Sequence, residues 1–95
     1  MKVMNVMNMG KSPRRRQEKI AGSLIKQCKD KSWLIRAKAA ISLGRLGDRV
    51  TVPTLIQALS DENYLVRYHA AEALKQIGTP EAVKAAKVWE RNDRE

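Results

Sequence analysis

Two stretches of this chain copy one another at an offset of 31 residues, and no gap is needed to align them. One runs from Asp30 to Gly47, the other from Asp61 to Gly78. Asp30 matches Asp61, Leu34 matches Leu65, and Arg36 matches Arg67. Ala39-Ala40 matches Ala70-Ala71, Leu43 matches Leu74, and an aromatic recurs at Trp33 and Tyr64. A fixed period in this range is the signature of a repeat array, here of helical pairs that must stack to bury their apolar sides. That requirement constrains the fold more than any other feature of the chain.

The apolar spacing places five helices. Ser12-Pro13 opens the first, with Ser as N-cap and Pro at the first helical position. Its apolar face is Ile20, Leu24, Ile25 and Cys28. Asp30 is positioned to cap the second helix, whose buried stripe is Ile35, Ala39, Ser42, Leu43 and Leu46, with Gly47 as the left-handed stop. After the linker Asp48-Arg49 a third helix runs from Val50 to Leu59, with Pro53 in its first turn. It buries Val52, Leu55, Ile56 and Leu59. Asp61 repeats the role of Asp30, and the fourth helix buries Val66, Ala70, Ala73, Leu74 and Ile77 before Gly78. Thr79-Pro80 opens the fifth, whose apolar side is Ala82, Val83, Ala85, Ala86 and Trp89. The expected organisation is a mobile segment over 1–12, a repeat domain over 13–90 and a fraying tail over 91–95. Within the domain, 13–47 is repeat 1, 48–78 is repeat 2 and 79–90 is a half repeat.

Composition agrees with close helix packing. Among the 95 residues there is no Phe and there are four aromatics, so a core must come from Leu, Ile, Val and Ala. The net charge of +9 is lopsided: residues 1–49 carry thirteen basic residues against three acidic, and residues 50–95 six against seven. A basic half attracts anionic partners, and it also simply keeps a surface solvated. Cys28 is alone, so no internal disulfide is available; the reading for it is a small buried hydrophobe. Met1 to Met9 is too short and too interrupted by Asn5 and Asn8 to be a signal-peptide core, and no run reaches transmembrane length. The expected location is cytoplasmic.

The pattern Asp-x-x-x-x-[Ile/Val]-Arg-x-x-Ala-Ala-x-x-Leu-x-x-[Leu/Ile]-Gly resembles a HEAT repeat, and its period is similar to that of the short variety named after phycobilisome lyases. The resemblance covers about residues 17 to 89. It implies an all-α fold, an α-solenoid of about two and a half helical pairs, with the second helix of each pair lining a concave face that binds another macromolecule. It also implies that Asp30, Arg36, Asp61 and Arg67 form a structural ladder between turns rather than a phosphate site. Trp33 and Tyr64 then have packing roles in preference to base stacking.

Catalysis finds little support. Gly10-Lys11-Ser12 ends like a phosphate-binding loop, but Asn5 stands where that motif needs Gly, and no strand precedes it. His69 is the single histidine, and no cluster has metal-ligand spacing. The His-Glu pairs of HEAT-like di-iron hydroxylases are missing. No catalytic, cofactor-binding or metal residue is assigned.

What remains is a binding surface. Leu34, Lys38, Ile41 and Arg45 recur at steps of four, three and four along one side of the second helix. Tyr68, His69, Glu72 and Gln76 lie on the corresponding side of the fourth. Aligning the repeats sets Ala37 against Tyr68, Lys38 against His69, Ile41 against Glu72, Gly44 against Lys75 and Arg45 against Gln76. Function is expected where the repeats differ, with Tyr68 as the aromatic anchor. Arg14, Arg15 and Arg16 form a basic tail. The first reading is an adaptor for a protein partner, an acidic one being favoured by Lys38 and Arg45. Two others stay open: a nucleic-acid module using the basic half, and a lyase-type or chaperone subunit acting on a pigment protein. Two and a half repeats also predict marginal monomer stability, or a homodimer through an end of the stack.

Overall fold

The structure, a computed structural model, describes residues 14–93. The segment 1–12 and the Ser12-Pro13 helix start lie outside them. The order is α1 (Arg14–Gln27), α2 (Trp33–Leu46), a 3-10 turn (Arg49–Thr51), α3 (Val52–Ala58), α4 (Tyr64–Ile77) and α5 (Pro80–Asp93). Helices α1 and α2 form the first pair, α3 and α4 the second, and α5 stands as half of a third. The fold is an all-α solenoid, and its most extensive contact is between α2 and α4, the second helices of the two pairs.

Local chemistry accounts for the ends. Ser32 and Asn63, each in extended backbone, are the N-caps of α2 and α4. Ser32 Oγ accepts from Ile35 N–H, and Asn63 Oδ1 accepts from Leu65 N–H at 2.8 Å. This corrects the capping role expected of Asp30 and Asp61. Those carboxylates act one step earlier, accepting from the N–H groups of Ser32 and Asn63 and fixing the turn into the cap. Gly47 (φ 70°) and Gly78 (φ 78°) stop α2 and α4 in the left-handed region that a side chain would strain. Thr79 Oγ1 accepts from Ala82 N–H and opens α5. The third helix begins later than expected. Asp48 first turns the chain through a 3-10 segment, accepting from Val50 N–H at 2.9 Å, and the α-helix starts at Val52. At the other end α5 stays helical through Asp93, so Arg91, Asn92 and Asp93 are not a frayed tail.

The core is a thin seam of Leu43, Leu55, Leu74 and Val66 among Ala39, Ala40, Ala70, Ala71, Ala73, Ala82 and Ala86, all effectively closed to solvent. Alanine removes side-chain bulk, so backbones approach and the few leucines fill what remains. Ile77, Leu59, Leu24 and Cys28 pack on the seam from its rim.

Three expected core residues are not buried. Ile20 and Ile35 are largely exposed, and Ser42 faces solvent. The cause is position in the array rather than residue type. Val66 and Ala73, the counterparts of Ile35 and Ser42 at +31, are each 1% exposed, because α4 has α2 beside it. Among the described residues α2 has no such neighbour on its own equivalent side. Two residues read as exposed are in turn buried: Ala37 and Gly44 lie inside the α2–α4 contact.

Candidate functional site

The Asp/Arg set comes together first. Arg36 leaves α2 and reaches the loop of the next repeat, where Nε and Nη2 donate to the two carboxylate oxygens of Asp61 at 2.8 and 3.1 Å. Its Nη1 donates to the backbone carbonyls of Asp30 and Lys31, at 2.7 and 3.1 Å. One guanidinium thus binds the loop behind it and the carboxylate ahead of it, through the bidentate fork that makes Arg unlike Lys. Arg67 repeats the backward half, donating to Asp61 and Glu62 carbonyls at 2.8 and 3.3 Å. Its forward partner is Asp93 on α5, at 3.6 Å. Asp30 has no preceding Arg opposite it among the described residues. Its carboxylate holds Ser32 and its carbonyl holds Arg36.

Burial of Asp61 would raise its pKa. The hydrogen bonds from Arg36 and Asn63 N–H and the charges of Arg36 and Arg67 outweigh that and hold the carboxyl below its ordinary value. Arg36 is pushed up, first by its bond to Asp61. A depressed carboxylate favours the folded state when ionised, so its contribution is complete above the unfolded value near about 3.9. It is lost as pH falls through the lower folded value. Asp61→Asn is therefore expected to flatten the acid limb of the stability–pH curve below about pH 4. Arg36→Ala is expected to lower the melting temperature at neutral pH by on the order of 5 °C. Both are read by circular dichroism. An unchanged melting temperature with lost ligand binding would move Arg36 from scaffold to site.

The predicted binding residues fall on the outward side of α2 and α4. Leu34, Lys38 and Arg45 are exposed and Ile41 is half-buried on α2; Tyr68 and Gln76 are exposed and His69 and Glu72 half-buried on α4. Leu34 at 47%, Leu65 at 43% and Tyr68 at 41% are large apolar surfaces left open to water. Lys38 and Arg45 make no ion pair among the described residues, whereas Glu72 is held by Lys75 at 3.0 Å. The face is therefore apolar with free positive charge on α2 and balanced charge on α4.

The aromatic residues gather at one end of it. Tyr64 lies 6.1 Å from Trp89 and 6.4 Å from Tyr68 between ring centroids, and Tyr68 meets His69 edge-on at 5.2 Å. Arg67 sits over the Tyr64 ring at 5.5 Å. Tyr64 thus packs one face on Trp89 and Arg67 as the sequence suggested, yet it and Trp33 both stay exposed. Sequence reasoning missed the bond from Lys75 Nζ to Glu90, which ties α4 to α5 at 2.6 Å. It raises the Lys75 pKa together with Glu72. No local pattern announces a pair fifteen residues apart on separate helices.

Arg14, Arg15 and Arg16 are the first turn of α1 and not a tail; Arg15 and Arg16 are exposed. Cys28 is half-buried and its thiol is pushed up to about 11, chiefly by burial and next by the Asp61 charge, so it is protonated at neutral pH. Among the described residues no group of three or more His, Cys, Asp or Glu side chains could hold a metal ion. No described helix is long and apolar enough to cross a membrane.

The family model for HEAT repeats matches residues 21–94. No curated protein matches the chain. The matched span takes in the second half of α1, all of α2 to α5 and every member of the Asp/Arg ladder, and on that match the chain belongs to the HEAT-repeat family.

Proposed function

We propose that the protein is a non-catalytic, cytoplasmic binding module that recognises a protein partner on the outward face of α2 and α4. The observation that carries this reading is the exposed row of Leu34, Leu65 and Tyr68 beside Lys38 and Arg45, which are unpaired among the described residues. Apolar side chains that the fold leaves open gain most by being covered, and an aromatic with a polar tip is a favoured anchor. The two cations favour an acidic partner and quicken encounter more than they add affinity. HEAT repeats commonly serve protein interaction, which agrees.

The test is the triple variant Tyr68→Ala, Lys38→Glu, Arg45→Glu against a partner identified by affinity purification. Titration calorimetry is expected to show at least about a hundredfold loss of affinity, the size expected when an anchor and two charges go together. Circular dichroism is expected to show unchanged helicity. Normal binding by this variant, with loss on removal of residues 1–16, would place the site in the basic segment. The exposed Arg15, Arg16, Lys19 and Lys26 of α1 make nucleic acid the second reading. It would prevail if DNA or RNA bound with an affinity falling steeply with salt.

A further inference from the structure

The two pairs are alike in sequence but differ in what their second helices offer on either side. α2 receives α4 through a stripe of small residues, Ala37, Ala40 and Gly44, all buried. A Cβ on Gly44 would fall 2.8 Å from Ala73 Cα and 2.9 Å from Ala73 Cβ, so the two backbones are as close as they can be. At +31 the stripe on α4 reads Tyr68, Ala71 and Lys75. Tyr68 stands out into solvent, and Lys75 is held by Glu72 and Glu90. No helix can approach α4 there as α4 approaches α2. The array is closed on that side.

Among the described residues the opposite edge of α2 is open. On α4 the side turned to α2 carries a β-branched residue, Val66, and seven residues on a small one, Ala73, both buried. α2 keeps the same two kinds of residue at the equivalent places, Ile35 and Ser42, and both are exposed. Beside them stand Lys38 and Arg45, exposed and unpaired among the described residues.

We propose that this edge of α2, formed by Ile35, Lys38, Ser42 and Arg45, docks an acidic helix of a partner protein. The helix presents small residues at i, i+3 and i+7, as Ala37, Ala40 and Gly44 do on α2, with carboxylates flanking them. The edge repeats the side by which α4 seats on such a stripe, so the stripe is what fits it. Carboxylates are what two unpaired cations select, since a cationic helix would bring like charges together. A second copy of the chain does not fit by its closed end. Tyr68 and Lys75 occupy two of the three small positions, and their side chains fill the space the seat needs. The chain's own Met1 to Met9 carries Lys2, no acid, and neither Ala nor Gly. The inference rests on the binding reading above and shares Lys38 and Arg45 with it; Ile35 and Ser42 belong to the edge alone.

The probe is a synthetic helical peptide with an Ala-x-x-Ala-x-x-x-Gly stripe flanked by Glu, titrated by fluorescence anisotropy into the full chain. Binding is expected to weaken at least about tenfold with Ser42→Trp, which fills the seat, and to be unmoved by Tyr68→Ala. The double variant Lys38→Glu, Arg45→Glu is expected to lose the Glu-flanked peptide and gain a Lys-flanked one, an exchange that misfolding cannot produce. A peptide with Tyr and Lys at the first and last stripe positions is expected not to bind. Indifference to Ser42→Trp, or binding only after removal of residues 1–13, would overturn the proposal; the second result would make the chain's own segment the occupant. Dimerisation in sedimentation that Ser42→Trp abolishes would make a second copy the occupant and overturn it too. If the Glu-flanked peptide fails while Tyr68→Ala still weakens the purified partner, the edge inference falls and the proposed function stands.

Discussion

Gly44→Ala will destabilise this protein, although the same change inside a helix ordinarily stabilises it by about 1 kcal/mol. The new methyl has no room. It would meet the side-chain oxygen of Gln76 and lie 2.8 Å from the Cα of Ala73, which is backbone and moves only if α4 moves. Overpacking of this kind costs typically about 1–3 kcal/mol, so the net result is a loss of up to about 2 kcal/mol after the propensity gain is subtracted. Gly44→Val adds two further carbons and a β-branch, and should leave no cooperative transition at 37 °C. Gly22 is the internal control. It lies in α1 with nothing within 4 Å of where its Cβ would stand. Gly22→Ala should therefore add up to about 1 kcal/mol. Urea denaturation of the two alanine variants side by side reads the opposite signs. Equal stabilisation by both would mean that α2 and α4 are not in backbone contact in solution.

Leu74→Ala is expected to cost about 3–5 kcal/mol, the upper part of the range for such truncations. The size of this loss depends on how far the surroundings collapse into the space. Leu74 is closed to solvent and belongs to one cluster with Leu43, Leu55, Ala70, Ala71, Ala82 and Ala86. Most of these neighbours are alanines whose helices already touch, and they have no long side chains to swing into the void. A domain of this size has about 5–15 kcal/mol of stability in all, so the variant should melt at least about 12 °C lower, by the usual conversion for small domains. A melting curve displaced by less than about 5 °C would show that the seam of leucines is not what holds the pairs together.

The repeat made much of the fold legible. An alignment of 18 positions without a gap, seven of them identical, leaves few arrangements for the apolar residues, and Leu43, Leu55, Leu74 and Val66 are where the spacing puts them. Ile35 and Ser42 misled because the repeat equates them with Val66 and Ala73, while burial depends on a neighbour that only the second copy has. Gly44 is itself a signal in the sequence. A glycine in the middle of a strong helix has a reason to be there, and close backbone approach is the commonest one. Ser32 and Asn63, directly before the first helical residue, were better cap candidates than the aspartates two places earlier. In the candidate site, Leu34, Lys38, Arg45 and Tyr68 could be assigned to an outward side from helical spacing alone. That Lys38 and Arg45 are unpaired among the described residues, and Lys75 doubly paired, depends on distances between helices that no spacing encodes. Nor did the repeat place the last partner of Arg67, because Asp93 lies 32 residues after Asp61 and Asn92 occupies the in-register position.

The guanidinium of Arg36 joins parts from two repeats, its own loop behind and Asp61 ahead. Each unit of 31 residues therefore offers an arginine forward and an aspartate backward, like the two halves of a fastener. Duplication of the first unit, residues 17–47, between Gly47 and Asp48 would leave no further half unmatched. The array could lengthen from within while its open basic edge and its closed aromatic edge stayed as they are. Chain length and ligand choice would then be free to change independently over descent.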